Sequence, residues 1–191
     1  EAIYVVAKSL VSEWFSPKAA GLQLEDYKPG DKLIPFKVLD GTFKGSDLVG
    51  IRYHQLIPWF KPLEGDAFRV IPGDYVSTDE GTTGIVHIAP TFGADDKKVA
   101  AVAGIPPMMV LDKNGNPQPQ VDHDGRFCLL EDLDPEYVAT HVAPEYKEYA
   151  GRFVKNAFDD SLPKDAPTLD IDLCMMMKMD GRAFKIQKHV H

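Results

Sequence analysis

The chain has 191 residues, 44% of them hydrophobic, enough for one domain with a sizeable core. Its net charge of −8 works against a broad electrostatic footprint on nucleic acid, because phosphate neutralisation by Lys and Arg supplies most non-specific affinity; an RNA partner would not be held by this chain alone. No apolar run reaches the roughly 18 residues of a membrane-spanning helix, and residues 1–30 lack the basic start, apolar middle and small-residue cleavage site of a signal peptide, so a cytoplasmic protein with no membrane partner is expected.

The first residues, EAIYVVAKSLVSEWF, put an apolar run at Ile3–Ala7 that suits a strand, then Leu10, Val11 and Trp14 at helical spacing. Short β-rich stretches follow at Leu33–Leu39, Ile51–Leu56, Phe68–Ile71 and Gly84–Ala89, separated by turn-forming Asp40-Gly41, Glu64-Gly65-Asp66 and Pro72-Gly73-Asp74. After Gly93 the period changes. Asp95 and Asp96 precede Val99, Ala100, Val102 and Ala103, which predicts a helix with acidic residues in its first turn and Gly104 at its end. Met108–Leu111 reads as a strand, and Asn114-Gly115 and Asp124-Gly125 predict a hairpin-rich excursion over Asp112–Arg126. Pro144 can open a helix running to Val154, and Thr168 can cap another that ends near Gly181. Ala183–Val190 alternates as a half-buried strand would.

Mixed short strands and helices without a repeated strand-helix alternation argue against a parallel doubly wound sheet. The expected fold is α+β, mostly β: a β-barrel-like domain decorated with helices. Neither end carries a turn or cap, so residues 1–191 are expected to be a single domain excised as an insertion from a longer protein. The two cysteines, Cys128 and Cys174, lack partners at zinc-site spacing and read as buried small hydrophobes.

The segment from Gly81 to Asp96, GTTGIVHIAPTFGADD, concentrates the chemistry. A strand over Ile85–Ala89 would put Ile85, His87 and Ala89 on one face and Val86 and Ile88 on the other. Pro90 stops it, Gly93 permits a tight turn, and Asp95 and Asp96 arrive at a helix N-terminus. An imidazole and a carboxylate are thereby assembled around one strand-to-helix turn. On spacing alone, the same residues also read as a satisfied half-buried histidine beside two aspartates that complement the helix dipole.

GIVHIAPTFGADD resembles the motif of isoleucyl-tRNA synthetase editing domains, in which a Gly-Thr-Gly start leads through Val-His-x-Ala-Pro to a Phe-Gly turn and an acidic pair. Valyl enzymes usually place Lys, and leucyl enzymes Met, where His87 stands. Gly50-Ile51-Arg52-Tyr53, Gly73-Asp74-Tyr75-Val76 and Gly181-Arg182-Ala183-Phe184 extend the resemblance to nearly the whole chain. Two departures stand out. Thr82 replaces the usual Gly before the motif threonine, and the family's threonine-rich Thr-Thr-Pro-Trp-Thr segment, which lines the editing pocket and by family order would precede Glu1, is missing.

The resemblance implies hydrolysis of valine wrongly esterified to the 3′ end of the isoleucine tRNA, and of valyl adenylate as a further candidate substrate. The double-sieve logic is that one methylene is worth only ~1–3 kcal/mol in a pocket, so a second, smaller site must exclude isoleucine; this family is itself the standard example of that argument. His87 is the expected excluding wall, and Asp96 the expected anchor for the α-ammonium, a positioning role. Thr83, Gly84, Ala89, Pro90, Phe92 and Gly93 complete the expected substrate-binding set, with Asp95 a cap. The expected partners are the valine-bearing 3′ end of the isoleucine tRNA and the rest of a parent synthetase in cis. HIGH-type and KMSKS-type signatures are absent, so no ligase activity and no cofactor are expected of this chain; ATP and Mg belong to the absent synthetic domain. The alternative is a module that binds the tRNA acceptor end but is catalytically incompetent when isolated.

Other motifs carry less. Asp112-Lys113-Asn114-Gly115-Asn116 begins like a calcium loop, but Pro117 and His123 stand where the pattern needs Gly and Glu, so it reads as a turn, and no metal site is expected. Asp122-His123-Asp124 reads as a solvated hairpin tip. His141-Val142-Ala143-Pro144 repeats His-x-Ala-Pro without the acidic pair, and His189 and His191 lack further ligands. The LCMMMKM stretch reads as an adaptable core face.

Overall fold

The computed structural model describes residues 2–28, 30–79, 82–154, 161–163 and 169–186, which divide into two compact units. One comprises residues 1–54 and 68–103, the other residues 55–67 and 104–191.

In the first unit, helix α1 (Val11–Trp14) follows a 3-10 turn at Lys8–Leu10, so the helical spacing of Leu10, Val11 and Trp14 is realised over a single short stretch. Phe15 packs between Tyr4 and Phe36, at ring-centroid distances of 5.9 and 5.1 Å. Residues 50–53 run antiparallel to residues 68–70 through Gly50 N–H to Val70 O, Val70 N–H to Ile51 O and Tyr53 N–H to Phe68 O, each 2.9 Å. Of the expected strands at Ile51–Leu56 and Phe68–Ile71, this pairing is what forms. Leu33–Leu39 and Gly84–Ala89 carry no strand, and Val38, Leu39, Ile85 and Val86 are exposed. Alternation buries a face only when a neighbouring strand supplies the ladder, and no partner strand lies along these segments among the described residues.

Helix α2 (Ala94–Val102) forms where the sequence places it. Asp95 and Asp96 stand in its first turn, and Gly104, at φ +69°, follows the C-cap Ala103. Arg69 extends Nη2 to Ala103 O at 2.5 Å, so a cation meets the negative end of the helix.

The second unit holds the best-formed core. Trp59, Phe60, Val110, Leu133, Tyr137 and Tyr146 are buried together. The Tyr146 ring is 4.4 Å from Phe60 and 5.7 Å from Trp59, centroid to centroid. Strands β1 (Val110–Leu111) and β2 (Pro117–Gln118) pair antiparallel around a turn that Asp112 organises, its carboxylate accepting the N–H groups of Asn114 and Asn116 at 2.8 and 2.9 Å. Those hydrogen bonds hold the Asp112 carboxyl below its ordinary range. Asp122 repeats the device ten residues on, accepting from Asp124 and Arg126 at 3.0 and 2.9 Å while Val121 bridges Phe127. Gly115 and Gly125 sit at φ +77° and +79°, the left-handed positions such three-residue hairpin loops require. The calcium-like string is therefore a turn whose oxygens bond its own main chain.

Helix α3 (Pro135–His141) has an Asp-Pro start: Asp134 accepts the Tyr137 N–H at 2.7 Å and Pro135 sits in the first turn. The expected Pro144–Val154 helix is only a 3-10 turn at Pro144–Glu148, because residues 151–154 instead pair with residues 125–127. Helix α4 (Leu169–Met179) ends before Gly181, at φ +68°; its expected cap, Thr168, lies outside the described residues. Leu169 and Leu173 turn to the core, whereas Met175 and Met179 are exposed, so LCMMMKM is only in part a core face. Neither cysteine is fully buried: Cys128 is half-buried and Cys174 exposed, since α4 lies with that side in water. Residues 183–186 form no strand, and 187–191, with His189 and His191, lie outside the described residues. Among the described residues no helix is long and apolar enough to cross a membrane.

Candidate functional site

The site lies in the first unit, where the chain leaves residues 82–89, turns at 90–92 and enters α2. The turn is closed from within. Phe92 and Gly93 both donate N–H to Ala89 O, at 3.0 and 3.1 Å, and Lys97 N–H reaches Gly93 O at 2.8 Å as the first helical bond. Asp96, half-buried in the first turn of α2, folds back so that Oδ2 accepts the Ala89 N–H at 2.9 Å. Ala89 is thus gripped on both its carbonyl and its amide. An ionised carboxylate has two oxygens and about four lone-pair sites, so accepting Ala89 N–H leaves Asp96 capacity for a cationic partner.

Gly93 is the helix N-cap and supplies no side chain to the cap. Its φ of −107° is open to any residue; what restricts it is space, because a Cβ there would lie 2.8 Å from Asp96 Oδ2 and 3.0 Å from Asp96 Cβ. Gly93→Ala should therefore push the carboxylate off Ala89. The stability cost is bounded by one charge-assisted hydrogen bond, about 1.5–3 kcal/mol. Urea unfolding of the variant beside Asp96→Ala is the check, and the two costs should not add, because both remove one interaction.

Asp95 does not cap the helix. It is exposed and pairs with Lys98 at 3.0 Å, one turn on, a contact of little energetic weight at such exposure. His87 is exposed together with Ile85 and Val86, so the expected alternation of faces is not realised where no ladder forms. Phe92 projects from the turn, 59% exposed. Pro90 begins the turn.

At the entrance, Thr83 Oγ1 donates to Ile85 O at 3.0 Å and Thr82 Oγ1 to Asp79 O at 2.7 Å. Gly84 takes φ +79°, where L side chains are strained. Around this stretch the structure adds a residue the motif does not contain: Trp14 Nε1 donates to Thr82 O at 2.9 Å. A lone tryptophan at helical spacing carries no signal of that contact. His141 belongs to the second unit, stacked on Tyr137 at 4.9 Å with Nδ1 beside Thr140 Oγ1. Among the described residues no cluster of three or more His, Cys, Asp or Glu could hold a metal ion.

No protein-family model matches the chain, and no solved structure matches it. Curated relatives do. It is 58% identical over 188 residues to the isoleucine–tRNA ligase of Bacteroides fragilis, covering 98% of this chain and 16% of the ligase. It is 51% identical to that of Bacteroides thetaiotaomicron, covering 98% of this chain and 18% of the ligase. To the cytoplasmic isoleucine–tRNA ligase of Arabidopsis thaliana it is 34% identical, over 92% of this chain and 12% of the ligase. Across 98% of its length this chain is therefore homologous to one segment of isoleucine–tRNA ligases, and it spans about a sixth of their length, 16% in the first comparison.

Proposed function

We propose that the chain is the editing segment of an isoleucine–tRNA ligase, hydrolysing valine misattached to the isoleucine tRNA, with a β-barrel-like fold in the parent enzyme. The carrying observation is the turn itself: Asp96 is locked by Ala89 N–H at 2.9 Å, two residues after His87, in a chain 58% identical to such a ligase. In this reading the fixed carboxylate receives the substrate's α-ammonium, and His87 limits the side chain that fits beside it. Holding the ester in one orientation is a large part of the work, since a well-placed reactant replaces a bimolecular encounter. Water is oriented by the substrate's free ribose hydroxyl and by main-chain groups. The segment works in the cytoplasm, in cis with the synthetic domain that supplies ATP and Mg chemistry.

One observation favours a second reading, an acceptor-end binding module without turnover of its own. The hydroxyls of Thr82 and Thr83 both donate to main-chain carbonyls, so the protons of these two hydroxyls are committed. Deacylation of valyl-tRNA and isoleucyl-tRNA by this chain, and by a version extended at its N-terminus, separates the two. Faster hydrolysis of the valyl ester by the extended protein is expected; binding without hydrolysis in both would favour the module. With net charge −8, tRNA should bind the chain alone more weakly than about 1 μM at physiological salt.

A further inference from the structure

We infer that Trp14 is a positioning residue that sets where the chain presents His87; the inference rests on the editing function proposed above. The segment between Gly84 and Ala89 is tied down at its ends. Among the described residues, the main chain of Val86, His87 and Ile88 makes no hydrogen bond. At the far end, Asp96 Oδ2 holds Ala89 N–H at 2.9 Å. At the near end, one short stretch of chain makes three contacts. Ala7 N–H donates to Thr83 O at 2.9 Å, Trp14 Nε1 donates to Thr82 O at 2.9 Å, and Gly84 passes so close that a Cβ would lie 2.9 Å from the Ala7 Cβ.

Of these three, the Trp14 bond is the one that depends on a side chain of particular chemistry. The Ala7 bond is main chain to main chain, and the Gly84 contact needs only a small neighbour. An indole N–H is a donor only, and when half-buried it is costly to leave unpaired, so it holds the Thr82 carbonyl firmly. The chain carrying the indole is anchored at the next residue, Phe15, which packs between Tyr4 and Phe36. Residues 84–88 pair with no neighbouring strand among the described residues, so their path is set by the contacts at the two ends of the segment. His87 lies five residues beyond Thr82, so a displacement of the Thr82 carbonyl is carried along the unpaired chain to His87. Trp14 therefore acts on substrate choice through His87, without touching substrate.

The test measures deacylation of valyl-tRNA and isoleucyl-tRNA by the full-length ligase carrying this segment, as wild type and as Trp14→Phe. The ratio of the two kcat/KM values is the readout. A purely structural role lowers both rates by the same folded fraction and leaves the ratio unchanged. Positioning makes the valyl preference fall about ten-fold, because a displaced wall forfeits the difference of one methylene. A second variant replaces Trp14 by benzothienylalanine, which keeps the fused ring and lacks the N–H, and it should reproduce the loss with the fold intact. An unchanged ratio in both variants overturns the inference while leaving the editing function standing. Absence of valyl-tRNA hydrolysis in the wild-type ligase overturns the editing reading and this inference with it.

Discussion

On the editing function proposed above, Asp96→Ala should lower kcat/KM for valyl-tRNA deacylation by about thirty-fold or more in a ligase carrying this segment. Removing one partner of a desolvated, hydrogen-bonded charge pair costs about 2–5 kcal/mol, and each 1.4 kcal/mol is about a factor of ten. The alanine variant also strands the Ala89 N–H, so its loss mixes anchoring with the integrity of the turn. Asp96→Asn separates the two. The amide oxygen can still accept from Ala89, which preserves the turn, while the negative charge that would hold an α-ammonium is gone. Nearly the whole activity loss should therefore appear in Asn, with a stability change well below that of Ala. If Asn keeps activity within about three-fold of wild type while Ala loses it, Asp96 is a turn former and the substrate anchor lies elsewhere.

That separation reflects what can and cannot be read from the chain. The presence of a carboxylate at the mouth of α2 is legible, because acidic residues in a first turn and a terminating glycine are local signals, and Ala94–Val102 forms where they predict it. Both hairpins are legible for the same reason: Asn-Gly and Asp-Gly specify the left-handed position directly, whatever surrounds them. The Asp134-Pro135 start of α3 is an equally local signal, a capping carboxylate followed by proline in the first turn. What escapes is non-local. The alternation at Ile85–Ala89 says which residues would share a face and nothing about whether a partner strand comes to cover it, and Ile85 and Val86 are exposed. The bonds from Asp96 to Ala89 and from Trp14 to Thr82 span 7 and 68 residues, and no spacing rule reaches either one.

Tyr146→Ala should cost about 3–5 kcal/mol, as truncation of a fully buried aromatic does. Tyr146 has no exposed surface, and its ring meets Phe60, Trp59 and Phe127. Against a total of about 5–15 kcal/mol for a domain, that is enough to leave the unit largely unfolded at 37 °C if its stability is near the low end. Tyr146→Phe keeps the ring and removes the O–H that donates to Cys128 O at 2.6 Å, stranding a carbonyl for about 1–3 kcal/mol. Urea unfolding followed by tryptophan fluorescence measures both. The chain has two tryptophans, one in each unit, so a Trp14→Phe background makes Trp59 the sole reporter.

The same core predicts alkaline sensitivity. Burial pushes the Tyr137 hydroxyl up to about 12, and burial together with the Cys128 contact carries Tyr146 above the ordinary phenol range. Burial likewise raises the Cys128 thiol. At pH below these groups' unfolded values, both states keep their protons and the stability is fully present. As pH rises past 10, the unfolded chain releases phenol protons that the folded chain retains, so stability falls, by about 1.4 kcal/mol per pH unit for each such tyrosine. The loss continues until pH passes the folded value, about 12 for Tyr137. Tyr146→Phe removes one of these groups and should make the decline above pH 10 shallower by that amount, although the variant begins from a lower stability. An equally steep decline in the phenylalanine variant would mean that Tyr146 ionises as freely in the folded chain as in the unfolded one, and that its hydroxyl is not held at the Cys128 carbonyl.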